Sequence, residues 1–176
     1  MSVDCPTQIE KETLQQFYYA CRKLLTQNIV YKVAVQKAFE EAIHGFTKEK
    51  SWRPTHISPA AAKDAVEGNS KNVQRAHGVL EERLDRYDRT LKILTDDEVE
   101  FDVWWKFYMH HDTTVMCTRT EHASGKKFHV DELIEIPHTE TDLFTTSGFG
   151  FKMRKKQEIA WLKKELEKLT CPGTTE

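Results

Sequence analysis

Apolar residues recur at spacings of three and four in several stretches of the chain, and each such stretch predicts a helix. From Ile9 to about Thr26 they are Leu14, Phe17, Tyr18, Cys21, Leu24 and Leu25. Between about Val30 and Ile43, the residues Val33, Ala34, Ala38, Ala42 and Ile43 lie toward one side, and Gly45 follows as a C-terminal stop. These two segments are expected to form a helical hairpin. Residues 46–58 interrupt the pattern. Lys48, Glu49, Lys50 and Ser51 are polar, and Pro54 disfavours helix at Arg53, so this stretch reads as a loop anchored by Trp52.

Ser58-Pro59 is an N-cap followed by proline at the first helical position. It predicts a short helix, Pro59 to Glu67, ending at Gly68. Asn69-Ser70 offers the next cap, and a long helix is expected to run toward Leu94. Its stripe is Val73, Ala76, Val79 or Leu80, Leu84, Tyr87, Leu91 and Leu94. Gly78 is out of place in that helix, where glycine costs about 1 kcal/mol relative to alanine. Val99 to Met109 reads as an aromatic helix, with Phe101, Trp104, Trp105 and Tyr108 at helical spacing. Thr113 to Thr118 is β-branched and reads as a strand, Ala123 to Lys127 as a turn around Gly125, and Phe128 to Ile136 as a second, paired strand. Ser147 to Phe151 is irregular. A last helix from about Lys152 to Leu169 has the seam Ile159, Leu162, Leu166 and Leu169.

The expected fold is α+β and predominantly helical. Residues 1–95 form a helical region with a helix-turn-helix-like pair. Residues 96–176 form an α+β region with a small antiparallel β-hairpin and a long C-terminal helix, and the two are expected to pack as one compact unit.

Charge sharpens this division. The chain has 176 residues and a formal net charge of −2. Residues 1–56 carry a net of +2, 57–95 a net of +1, 96–151 a net of −8, and 152–176 a net of +3. The acidic block also holds five of the eight histidines and the Trp104–Trp105 pair. No apolar run approaches the length of about 18 residues that a membrane span needs. Met1 to Glu12 is polar and acidic, with no apolar stretch to act as a signal. Cys5, Cys21, Cys117 and Cys171 lie far apart without a C-x-x-C pair, so reduced thiols and a cytoplasmic location are expected. Neither a phosphate-binding loop nor a nucleophile-elbow motif is present.

Two constellations carry candidate chemistry. The first is the segment Ala60 to Leu80, which reads as short helix, turn, long helix. Asn72 and Gln74 are the amides, and Arg75 the guanidinium, that read base edges in a major groove. Ser70 and Lys71, near the start of the second helix, would hold phosphates. Over these roughly twenty residues the segment loosely resembles helix-turn-helix regulators, which implies double-stranded DNA as a partner. In the usual pattern an apolar residue falls four places after the turn serine, whereas here Val73 falls three after Ser70. Asp64, Glu67, Glu81, Glu82 and Asp85 surround the segment and would repel phosphates.

The second constellation is the histidine–carboxylate block. Imidazoles and carboxylates serve as metal ligands and as general acids and bases. If the strands pair across Gly125, His122 and His129 face each other, with Asp131 beside them. These three are the catalytic set of an alternative reading, a hydrolase such as a nuclease, with or without a divalent metal. Residues 127–134 bear a passing likeness to the first strand of HNH nucleases, but Glu132 stands where that family has its base histidine, and the likeness is set aside. Adjacent tryptophans are expected to point to different sides of their helix. That leaves Trp104 or Trp105 exposed as an anchor for a protein partner, a basic one at the acidic 96–151 surface.

The expected function is therefore that of a DNA-associated regulator or accessory factor rather than an enzyme, with no cofactor and no metal site. Its contact residues would be Ser70, Lys71, Asn72, Gln74 and Arg75. A partner-binding inhibitor acting through its acidic surface is a third reading.

Overall fold

A computed structural model describes residues 8–27, 33–35, 37–38, 41–42, 54–84, 99–140, 145–149 and 155–170. In chain order these form helix α1 (Gln8–Thr26), strand β1 (Pro54–Ile57), helix α2 (Pro59–Val66), strand β2 (Val73–His77) and helix α3 (Phe101–His111). Strand β3 (Thr114–Thr118), helix α4 (Arg119–Ala123) and strands β4 (Ile134–Glu135), β5 (His138–Glu140) and β6 (Thr145–Ser147) follow, and helix α5 (Lys156–Thr170) ends the series. The fold thus mixes helices with sheet. None of the described helices is long and apolar enough to cross a membrane.

The chain forms two compact units, and it passes between them more than once instead of dividing after residue 95. The first comprises Met1–Lys50, Arg83–Asp112 and Glu140–Thr146; the second comprises Ser51–Glu82, Thr113–Thr139 and Ser147–Glu176.

In the first unit, α1 buries Leu14, Tyr18, Cys21 and Leu25 of the stripe its sequence predicts, while Phe17 is half-buried and Leu24 exposed. The Tyr18 ring lies 4.9 Å from Trp104 and 5.7 Å from Phe101. Its hydroxyl donates to the Val99 carbonyl at 2.8 Å, which ties α1 to the start of α3. Of the expected second helix, residues 33–35, 37–38 and 41–42 are helical. On α3, Phe101, Trp104, Trp105 and Tyr108 are all buried, with Trp104 at 0% exposure and Trp105 at 2%. Neither tryptophan is the exposed anchor expected for a protein partner. The reason is angular: neighbours on a helix differ by only about 100°, and a core-facing stripe is at least that wide. Two adjacent residues fit inside it when they also complete the spacing of three and four.

The second unit is built on a four-stranded sheet in the order β2-β3-β1-β4. Strands β1 and β3 are parallel, with Ile57 opposite Met116; β2 and β4 are antiparallel to their neighbours. Every residue of β3 is buried, as suits a central strand covered on both faces. One face, with Ile57, Met116, Ile134 and Ile136, packs against Ala61, Ala62 and Ala65 of α2 and Leu162 of α5. The alanines let α2 approach closely. The other face, with Ala76, Val115 and Cys117, is covered by Leu80 and Phe128. Strands β5 and β6 pair as a separate two-stranded sheet.

Three expectations are corrected here. Residues 54–57, read as part of a loop, form β1. The second helix of the proposed helix-turn-helix does not form between Ser70 and His77. Ser70–Asn72 is a single 3-10 turn and Val73–His77 is a strand, paired residue for residue with Thr118 to Thr114. Only two apolar residues, Val73 and Ala76, carried the helical reading there, and pairing with β3 sends them to opposite faces of the sheet. The continuation of that helix over residues 85–98 lies outside the described residues. The third correction is the β-hairpin: β3 runs directly into α4, Val130–Glu132 is a 3-10 turn, and Ile134–Glu135 pairs with β1 instead.

Gly78 is explained by the same rearrangement. It ends β2 with φ of +64°, in the left-handed region that L side chains avoid. A Cβ there would meet nothing within 4 Å, so the cost of substitution is one of backbone alone. Gly78→Ala is expected to destabilise the second unit by about 1 kcal/mol, read as a lower urea midpoint at unchanged slope. An alanine variant as stable as the parent would contradict this turn.

Candidate functional site

The carboxyl ends of the parallel strands are where open α/β sheets place ligands. Here that edge is filled by the chain itself. Ser58, at 0% exposure, follows β1 and caps α2, its Oγ accepting from the Ala61 N–H at 3.1 Å. Thr118 ends β3 and caps α4 in a capping box with Glu121. The Oε2 atom of Glu121 accepts from Ser58 Oγ at 2.7 Å, from the Thr118 N–H at 2.8 Å and from Thr118 Oγ1 at 3.0 Å. One carboxylate thus joins the two helix starts. The Ser58 cap was legible in the sequence, and the spacing Thr118-x-x-Glu121 carried the signal for the second, which a strand-and-turn reading of the region passed over.

The five polar residues assigned to DNA contact remain contiguous, but on a turn and a strand. Ser70, Lys71 and Asn72 form the 3-10 turn, with Lys71 exposed, and Gln74 and Arg75 lie on β2, partly buried. Asn72 is committed elsewhere, because its Nδ2 donates to Asp64 at 2.6 Å. Asn69 binds the other oxygen of Asp64 at 3.1 Å. Val73 is the register partner of Thr118, which brings Arg119 to the same end of β2.

The histidines of the acidic block divide between the units. His110 and His111 end α3 in the first, while His122, His129 and His138 belong to the second. The facing pair expected of His122 and His129 is not formed: His122 is exposed on α4, and His129 precedes the turn that holds Asp131. His129 sits between two glutamates, with Nε2 at 3.0 Å from Glu81 and Nδ1 at 3.2 Å from Glu82. The hydrogen bond to Glu82, then the charge of Glu81, raise its pKa above the ordinary histidine value. That favours an imidazolium with both N–H groups engaged, not a base waiting for a proton. No group of three or more His, Cys, Asp or Glu able to hold a metal ion occurs among the described residues. Cys21 and Cys117 are free, buried thiols, each pushed up to about 11, by burial and, for Cys117, also by Glu121.

The fold also redistributes charge. The segment 96–151, with its net of −8, is shared between the units. The first unit contains 12 basic and 16 acidic side chains, a net of −4, and the second 14 and 12, a net of +2. Comparisons with protein-family models, with characterised proteins and with solved structures returned no match.

Proposed function

We propose that this protein is a nucleic-acid-associated binding protein, and that the second unit meets double-stranded DNA along β2 and the turn before it. Lys71, Gln74 and Arg75 are the contact residues, with Ser70 and Arg119 at the same end of the strand. The observation that carries this reading is the state of the surrounding carboxylates. Asp64 is held by Asn69 and Asn72. Glu67 lies 3.9 Å from Lys63, Glu81 and Glu82 share His129, and Glu121 is engaged by Ser58 and Thr118. Glu67, Glu81 and Glu82 are thereby partly offset by a basic partner, and Asp64 and Glu121 are held in place by neutral donors, in a unit whose own net charge is positive.

Contact through a short strand and turn favours phosphates over base edges, since no helix is offered to the major groove and the Asn72 amide is occupied. Binding is therefore expected to depend steeply on salt and little on sequence. Lys71→Ala and Arg75→Ala should each weaken duplex binding at low salt and lower the slope of log K against log salt by about one. A parent protein that binds no duplex at low ionic strength, or variants with the parent's slope, would sink the reading.

A further inference from the structure

Helix α5 carries basic charge that its own acids do not answer. Its inner side is committed to the core: Glu158 and Leu162 are buried, and Ile159, Trp161 and Leu166 are half-buried against α2 and the sheet. At about 100° per residue, Lys156, Ala160, Lys163, Lys164 and Glu167 fall on the outer side, and all five are exposed. Lys155, just before the helix, is exposed as well. Among the described residues no acid pairs with Lys156, Lys163 or Lys164, whereas Lys168 is held by Glu165 at 2.7 Å.

Local electrostatics work against this arrangement. A helix gains from an acid one turn away from a lysine and loses from a like charge there. Ala160 stands four places from both Lys156 and Lys164, and Lys164 has Lys168 four places on. Lys156 also lies in the first turn, the end at which the helix dipole disfavours a cation. Glu167 is the one acid of α5 on the outer side, and no ion pair joins it to Lys163. Departures from local rules at several neighbouring positions mark a surface shaped by function.

We propose that the outer face of α5, with Lys156, Lys163 and Lys164 around Ala160, is a contact surface for the phosphate backbone of a DNA duplex. This rests on the reading that the second unit binds a duplex, and it adds a second element to β2. Lys156 and Lys163 are seven residues apart, about 10 Å along the helix. That length is too great for one small anion and suits a polymer, since a duplex carries a charge about every 1.7 Å of its axis. Ammonium groups meet phosphates as point charges, without the fork that reads a base edge. The small Ala160 lets the backbone come close between the lysines. An anionic membrane fits less well. A helix on a bilayer surface buries its apolar side in lipid, and here Leu162 lies in the core and Trp161 meets Phe149 edge to face at 4.9 Å.

The test is amine acylation of the full chain at low salt, read lysine by lysine by mass spectrometry, with and without a short DNA duplex. At a duplex concentration of roughly ten times Kd, acylation of Lys156, Lys163 and Lys164 should slow by about tenfold, while Lys11 of the first unit keeps its rate. Ala160→Glu places a carboxylate among the three lysines at an exposed position. It should leave the circular dichroism unchanged, remove the protection and weaken duplex binding by about tenfold. Replacing Lys156, Lys163 and Lys164 together by Gln should lower the slope of log K against log salt by about three. Protection of Lys71 without the α5 lysines overturns this proposal and leaves the β2 reading standing. Protection of the α5 lysines without Lys71 does the reverse. Protection of neither, uniform protection that includes Lys11, or equal protection by phosphatidylserine vesicles or polyglutamate overturns the proposal.

Discussion

Trp104→Ala is expected to destabilise the protein by about 3 to 5 kcal/mol. The indole is fully buried, and its ring lies within 4.9 Å of Tyr18, 5.2 Å of Tyr108, 5.9 Å of Trp105 and 6.2 Å of Phe101. Removing it deletes the centre of an aromatic cluster that joins α1 to α3. Two losses add: the transfer energy of the side chain, and the cavity left where the surrounding rings cannot close in. Typical domains hold only about 5 to 15 kcal/mol in total, so the first unit of such a variant should be largely unfolded at moderate urea. The check is chemical denaturation followed by near-UV circular dichroism, which reports aromatic packing directly. A destabilisation under about 1 kcal/mol would show that Trp104 is not central to the core. An exposed partner anchor, the role suggested by charge and position alone, would give that small value.

Glu121→Ala should cost the second unit about 2 to 3 kcal/mol. The variant loses the capping box of α4 and leaves the hydroxyl of Ser58 without its acceptor in a buried site. Glu121→Gln retains a carbonyl acceptor of the same shape, and its loss should be smaller, under about 1 kcal/mol. Comparing the two separates hydrogen bonding from side-chain volume, and equal stability of Glu121→Ala and Glu121→Gln would refute the role of the carboxylate. Ser58→Ala belongs to the same network, so its effect combined with Glu121→Ala should be less than additive.

The polar residues of this network were partly visible before any fold. Ser58-Pro59 announces a helix start because a cap and a proline act on their immediate neighbours. Glu121 was a different case. Its capping spacing was present, but its partner Ser58 is 63 positions away, and only the parallel pairing of β1 with β3 brings the two helix starts together. The candidate contact residues show the same division. Lys71, Gln74 and Arg75 were chosen for their chemistry, and that chemistry is unchanged. The element that presents them is different, and Asn72 is withdrawn by Asp64. The histidines were grouped by closeness in sequence, a poor guide once the chain passes repeatedly between two units.

Helices α1, α2, α3 and α5, the Ser58 cap and the buried strand β3 were determined by the sequence itself. Their signals are a period of three to four residues, a capping pair, or a β-branched run, all within a few positions. The tertiary structure decided the rest. Strands β1, β2 and β4 have at most a few apolar residues each, and a strand that short acquires its identity from the edge it pairs with. Pro54 meets Thr114, Val73 meets Thr118 and Ile57 meets Ile134, partners separated by tens of residues. The burial of both tryptophans, the bracketing of His129 by two glutamates and the meeting of Arg83 with His110 arise the same way. The apolar and polar pattern along the chain therefore specified where α1, α2, α3 and α5 lie. Which charges stand together, and hence which surfaces can bind, depended on contacts that no local period encodes.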